Sequence, residues 1–225
     1  MKNIVITGGS DGIGKALAQS LASDFHVTLI ARSADKLEQL AAETQCDFVV
    51  CDVRRSDEVE AAFKKIKAQR GSIDVLINNA GVIVNSDLTE TPYETIETVI
   101  STNAIGAIFV TKACLEIMKP QGNGLIINVI SQAGITARPY RSVYNASKWA
   151  MTGFTKAIQE EASEYGVRVT GFYPGTVSTD LFKKAGLDSR GPALDTSQIV
   201  RTVRFVIDSD ENMLFPELGV KPFAL

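Results

Sequence analysis

The stretch NIVITGGSDGIG, residues 3–14, runs an apolar segment straight into a glycine-rich turn. Asn3–Thr7 is short and apolar, as suits a strand buried on both faces of a parallel sheet. Beyond the turn, Ile13, Leu17 and Leu21 recur every four residues, which lays one apolar stripe along a helix. Gly8, Gly12 and Gly14 permit a tight turn, a close backbone approach to a pyrophosphate, and tight helix–strand packing. The helix N-terminus adds N–H groups and the positive end of its dipole. The spacing is GxxxGxG, not the GxGxxG fingerprint, so taken alone the turn also fits an ordinary strand-to-helix connection.

The same alternation continues outward. Short apolar runs stand at Val27–Ala31, Phe48–Cys51, Val75–Ile77, Leu125–Ile130 and Val167–Phe172. Helical patterns lie between them, as in Val59, Ala62, Phe63 and Ile66. Strand–helix units throughout predict a single α/β domain over residues 1–225, a doubly wound Rossmann-type parallel sheet with helices on both faces. No linker, repeat or low-complexity tract divides it. Residues 176–192 are less regular and fall late in the fold, beyond the carboxyl ends of the strands. They fit a substrate lid and a plain surface loop equally well.

Composition removes several function classes. The chain has 225 residues, 45% of them hydrophobic and 22% charged, with a net charge of −3. Neither nucleic acid nor an anionic membrane is favoured electrostatically. No uninterrupted run of eighteen apolar residues predicts a membrane span. Cys46, Cys51 and Cys114 form no CxxC pair or metal cluster, and His26 is the single histidine. No metal site is expected, and reduced thiols fit a cytoplasmic protein.

The second strand bears on the nucleotide. In dinucleotide folds an acid near its end bonds the adenosine 2′-hydroxyl, whereas an arginine accommodates a 2′-phosphate. Here it ends Leu29-Ile30-Ala31-Arg32-Ser33, without a carboxylate. Arg32, with Ser33 or Ser10, suits phosphate oxygens and favours NADPH over NADH. Asp11 nearby adds an unfavourable charge, and a solvent-facing arginine capping the strand is the plain alternative.

Tyr144 and Lys148 stand four residues apart in a helical stretch, with Ser131 thirteen positions upstream of Tyr144. A phenol with a pKa of about 10 is a poor acid near neutrality. An ammonium one turn away shares its helix face and favours the phenolate, lowering that pKa. A Ser131 hydroxyl can hydrogen-bond a substrate oxygen at the same spot. Alone, Tyr-x-x-x-Lys is a common helix-surface pair, and the weight lies in its conjunction with the glycine turn.

With these residues placed, the chain resembles the single-domain branch of the short-chain dehydrogenase/reductase family, from Lys2 to about Leu181. TGGSDGIG is similar to that family's cofactor turn. Cys51-Asp52-Val53 resembles its adenine-contacting turn, and Asn78-Asn79-Ala80-Gly81 its NNAG element. Asn103, Ser131, Tyr144 and Lys148 fall on its catalytic positions, and Pro174-Gly175 on the turn after the sixth strand. The resemblance implies that Tyr144 is general acid in carbonyl reduction and general base in reverse. It implies that Lys148 lowers the Tyr144 pKa and binds the nicotinamide ribose, and that Ser131 steadies the substrate oxygen. Asn103 would hold, through its backbone, a water joining Lys148 to solvent. Ser10, Gly12 and Ile13 would contact phosphate and Asp52 and Val53 the adenine, while Asn79, Ala80, Gly81, Pro174 and Gly175 would be further cofactor contacts. Val177 and Thr179 would anchor the carboxamide.

The chain departs from the family pattern at its end, where ENMLFPELGVKPFAL replaces the usual Asp-Gly-Gly segment of the tetramer interface. A short strand is expected near Met213–Phe215. A homodimer through the helices near Tyr93–Met118 and Ser142–Tyr165, or a homotetramer, is what the resemblance implies. The expected function is NADPH-dependent reduction of a small or medium ketone, aldehyde or diketone, reversibly. A non-catalytic NADPH-binding sensor or scaffold is the alternative. An epimerase or dehydratase is disfavoured because only about forty-five residues follow Asp180, well short of a substrate domain.

Overall fold

The computed structural model describes residues 1–181 and 191–223. Seven strands form one sheet: β1 (Asn3–Thr7), β2 (His26–Ala31), β3 (Asp47–Val50), β4 (Val75–Asn78), β5 (Gly124–Val129), β6 (Val167–Pro174) and β7 (Glu217–Val220). Their order is β3-β2-β1-β4-β5-β6-β7, and every pairing is parallel. The helices among the described residues are α1 (Gly12–Leu21), α2 (Ala34–Thr44), α3 (Ser56–Arg70), α4 (Tyr93–Ile100), α5 (Gly106–Gln121), α6 (Ser142–Ser163) and α7 (Thr196–Asp208). This is the doubly wound parallel sheet that the alternation of strand and helix patterns predicts.

Side-chain alternation along β1 shows how the layers are built. Ile4 and Ile6 face a core completed by Leu17 and Leu21 of α1 and by Ile199 and Val203 of α7. Val5 faces the other core, with Phe63 and Ile66 of α3, Cys114 and Met118 of α5, and Ala162 of α6. A period of two in the strand thus serves two helical layers at once. Each fully buried aliphatic side chain contributes about 1.5–3 kcal/mol relative to exposure. The strand order reverses between β1 and β4. The crevice outside their carboxyl ends is where this architecture accepts ligands.

Three expectations shift in detail. The last strand lies at Glu217–Val220 and pairs with Gly171–Pro174, not at Met213–Phe215. There the Met213 N–H donates to Asp210 O at 2.9 Å and closes a turn, while Phe215 packs on Phe205 with ring centroids 5.3 Å apart. As an edge strand, β7 is only partly buried and lacks the apolar run that marks the others. The helix from Tyr93 changes register at a π turn, Ser101–Ile105, and runs on to Gln121; α6 ends at Ser163. Tyr93–Gln121 is long and apolar enough to cross a membrane by length and composition alone. It is a core helix, with 56% of its apolar window buried and Val110, Cys114 and Met118 turned inward. Of the lid candidate at 176–192, residues 182–190 lie outside the described residues.

Candidate active site

A cleft of about 340 Å³ opens at the carboxyl ends of β1, β2 and β4. Of the residues expected at the cofactor, Gly8, Ser10, Gly12, Ile13, Arg32, Asp52, Val53, Asn79, Ala80, Gly81 and Thr179 line it. The glycines differ in purpose. Gly8 has φ +65°, and a Cβ there would lie 2.8 Å from Ala80 Cα. Gly14 does not line the cleft. A Cβ on it would come 2.2 Å from Gly8 O, so its absence lets α1 seat against β1. Gly12, at φ +52°, faces open space apart from Thr179 at 3.6 Å. That leaves the first-turn N–H groups of α1 approachable by an oxyanion.

Asn79 has a structural task beyond lining the cleft. Its Nδ2 donates to Thr7 O and Gly8 O at 3.1 and 3.2 Å, and its own N–H donates to Thr7 Oγ1 at 3.0 Å. The element after β4 is thereby stapled to the glycine turn after β1. Asp11 is not the bare unfavourable charge that its position in the sequence implies. It caps α1 by accepting from the Gly12 N–H at 2.8 Å and pairs with Lys36 at 3.3 Å. Arg32 is exposed, and its guanidinium lies 4.0 Å from Asp52. Asp52 is held mainly by Arg54, at 2.5 Å, and that hydrogen bond keeps its carboxyl below the usual range, with Arg32 adding a smaller pull.

The catalytic candidates Asn103, Ser131, Tyr144 and Lys148 do not line this cleft; Asn103 and Lys148 lie beside Gly81, which does. A Cβ on Gly81 would lie 3.3 Å from Asn103 Oδ1 and 3.8 Å from Lys148 Nζ. Lys148 is buried, and its Nζ donates to Val129 O at 3.1 Å. Burial pushes its pKa down to about 8. Tyr144 is buried beside it, with the Lys148 ammonium 5.9 Å from the ring centroid. Burial raises the Tyr144 pKa above 10. A hydrogen bond with Ser131 and the charge of Arg141 pull the other way. Loss of hydration outweighs the charges that reach the phenol.

Asn103 sits in the π turn, almost fully buried. It accepts from Val82 N–H and donates to Val82 O, both at 2.8 Å, and donates to Ser147 Oγ at 2.9 Å. Ser147 Oγ–H in turn donates to Tyr144 O at 2.7 Å. One amide thus joins the loop after β4 to the helix carrying Tyr144 and Lys148. A π turn interrupts the α-helical ladder of carbonyls and is a frequent mark of functional sites. Ser131 has φ 149° and ψ 159°, a conformation that side chains rarely adopt, and its Oγ accepts from Ala133 N–H at 3.1 Å.

Pro174, Gly175 and Val177 do not line the cleft. Gly175 N–H donates to Val220 O at 2.7 Å, which anchors the turn to β7. Val177 buries its side chain and bridges Leu194, using the backbone of Thr176 and Ser178 and not its own polar groups. Thr102 is a residue the sequence reading missed. It lines the cleft, is 7% exposed, and its Oγ1 has no hydrogen-bond partner among the described residues. Only its position beside Asn103 could have singled it out. A buried hydroxyl awaiting a partner, an open Gly12 and a helix N-terminus together fit a dinucleotide. No group of three or more metal-ligating side chains occurs among the described residues.

Fold and cleft define a dinucleotide-binding α/β protein. Comparison with known proteins makes this specific. The family model described as short chain dehydrogenase matches residues 2–190. Carbonyl reductase family member 4 of Xenopus laevis is 32% identical over 92% of both chains. An uncharacterised oxidoreductase of Staphylococcus saprophyticus is 32% identical over 98% of this chain and 97% of its own. Among solved structures, the alcohol dehydrogenase of Thermococcus sibiricus complexed with 5-hydroxy-NADP superposes with a TM-score of 0.90 at 31% identity, covering 98% of this chain and 96% of that one. The chain belongs to the short-chain dehydrogenase family and is an oxidoreductase that uses a nicotinamide cofactor.

Proposed function

We propose that this chain is an NADPH-dependent carbonyl reductase that converts a small or medium ketone, aldehyde or diketone to its alcohol, reversibly. The observation that carries it is the grouping of Asn103 and Lys148 beside Gly81 of the cleft wall, with Tyr144 next to Lys148. Arg32 at the other end of the cleft, with no acid closing β2, favours the 2′-phosphate of NADP. The nicotinamide, when bound, supplies hydride to a carbonyl carbon or takes it up from an alcohol.

The protein's own groups do the rest. The Tyr144 hydroxyl gives its proton to the substrate oxygen, a contribution of about 10²–10⁴-fold for general acid catalysis. Ser131 donates a hydrogen bond to the same oxygen as charge develops, worth about 10²–10³-fold for an oxyanion donor. Lys148 holds the ribose hydroxyls. With the cofactor bound, the Lys148 ammonium would favour the phenolate and oppose the rise that burial causes. Asn103 orders, through its backbone, the water that returns protons to Lys148. We place the protein in the cytoplasm as a homo-oligomer, with exposed Tyr93, Ile105, Ile108 and Trp149 on the two long helices offering the contact.

The test is NADPH consumption across a panel of carbonyls by wild-type and Tyr144→Phe protein, with NADH in parallel. We expect the variant to bind NADPH as tightly as wild type and to lose at least about 10²-fold in turnover. A variant that keeps the wild-type rate sinks the acid–base assignment. The alternative reading is a non-catalytic NADPH-binding sensor or scaffold of the same fold. Firm NADPH binding with no turnover on any carbonyl or alcohol would select that role.

A further inference from the structure

The backbone at Ser131 is not held by Ser131 alone. At φ 149° and ψ 159° it lies outside the regions that side chains favour, and such strain persists only where the surroundings over-determine it. The segment that follows is a single 3₁₀ turn, Gln132–Gly134, too short for its own hydrogen bonds to fix its place in the molecule. That place is set by side chains reaching the turn from neighbouring elements.

Most of this hold comes from α6. Asn145, next to Tyr144, is buried, and its Nδ2 donates to Ala133 O at 2.8 Å and to Thr136 O at 2.7 Å. Both N–H donors of the amide are engaged. A flipped amide would set Oδ1 against the same two carbonyls, so the partners dictate the orientation. Oδ1 has no partner among the described residues, which leaves the two donated bonds as the contribution of this amide. Thr152, about two turns further along α6, shares its hydroxyl proton between Gly134 O at 3.0 Å and Lys148 O at 3.2 Å. Gly134 lies so close to the helix that a Cβ on it would come 2.9 Å from Lys148 O and 2.7 Å from Thr152 Oγ1. From the other side, Gln132 Nε2 donates to Tyr173 O of β6 at 2.8 Å. Inside the turn, the Ala133 N–H donates to Ser131 Oγ at 3.1 Å. Ala133 is thus held by Asn145 through its carbonyl and holds Ser131 through its N–H.

We infer that Asn145, assisted by Thr152, is a positioning residue of the reaction. It fixes the Ser131 turn against the helix that carries Tyr144, so that both hydroxyls meet one substrate oxygen. A misplacement of about 1 Å is enough to cost on the order of a hundredfold in rate. Neither Asn145 nor Thr152 lines the cofactor cleft, so the effect falls on turnover and not on cofactor affinity. This assignment rests on the reductase function proposed above.

The experiment is a double-mutant cycle on kcat, with saturating NADPH and the carbonyl that wild type turns over fastest. Asn145→Ala should lower kcat about ten- to a hundredfold, and by no more than Ser131→Ala does, because what it loses is the alignment of Ser131. Added to Ser131→Ala, it should lower kcat by no more than about threefold, since the contribution it aligns is already gone. NADPH affinity, by fluorescence titration, should stay at the wild-type value. Thr152→Val should show the same dependence on Ser131 with a smaller loss, and it decides the outcome if Asn145→Ala does not fold. An equal loss in both backgrounds marks general damage to the fold and overturns the inference while leaving the reductase standing. A wild-type kcat in the single variants does the same. A wild-type kcat in Ser131→Ala overturns the role of Ser131 and this inference with it. No turnover of any carbonyl by wild type overturns the reductase and this assignment together.

Discussion

Replacing Lys148 with Met should stabilise the cofactor-free protein while destroying its activity. Lys148 is buried with its ammonium donating to one carbonyl, Val129 O. Burial takes its pKa from 10.5 to about 8. At pH 7 the amine is charged in both folded and unfolded chains, and this depression costs the folded state about 3 kcal/mol. Methionine has a similar length and no charge, but it deprives Val129 O of its donor, a loss of about 1 kcal/mol. The net gain at pH 7 is about 2 kcal/mol. Between about 8 and 10.5 the unfolded chain binds the proton that the folded chain has released, so wild-type stability rises with pH relative to the variant. At pH 9.5 the penalty has shrunk to about 1 kcal/mol, and the two proteins should be nearly equal in stability. Urea unfolding of both proteins at pH 7 and 9.5 measures this. Groups titrating elsewhere cancel in the difference. A stability gap that does not change between the two pH values would refute the buried uncompensated ammonium.

Two further predictions concern the backbone around the site. Ser131→Ala and Ser131→Gly both remove the hydroxyl and should both lose most turnover, yet glycine should be the more stable of the two by about 1 kcal/mol. That figure is a strain of about 1–3 kcal/mol at φ 149° less the added flexibility of unfolded glycine, and equal stabilities measured by urea titration would argue against the strain. Gly14→Ala would place a Cβ 2.2 Å from Gly8 O, so α1 must move off β1. It should cost about 1–3 kcal/mol and weaken NADPH binding, and a variant with wild-type stability and affinity by denaturation and fluorescence titration would contradict that packing.

How far the site was legible follows from the kind of signal each residue carries. Gly8 and Gly12 could be read because a tight turn leaves few other residue types possible, and the positive φ values at both bear this out. Asp11 was misjudged because its cap of α1 and its pairing with Lys36 arise only in the folded turn, and the sequence reading weighed it against Arg32 alone. Thr102 was passed over since one hydroxyl in a helix carries no pattern. Its meaning comes from burial without a partner. The last strand was displaced to Met213–Phe215 because that run is the more apolar, whereas an edge strand needs only one hydrogen-bonded side and a half-buried face.

The sequence by itself determined the doubly wound sheet, because short continuous apolar runs alternating with helical stripes leave strands covered by helices as the way to bury both faces. It also determined which chemical groups were available, and the order Ser131, Tyr144, Lys148 along the chain. Tertiary structure alone decided their condition. Gly81, Asn103 and Lys148 come together from a loop, a π turn and a helix far apart in sequence. Burial then sets the proton affinities, raising that of Tyr144 and lowering that of Lys148. Those shifts depend on how much water and which charges surround each group, and that is a property of packing in three dimensions.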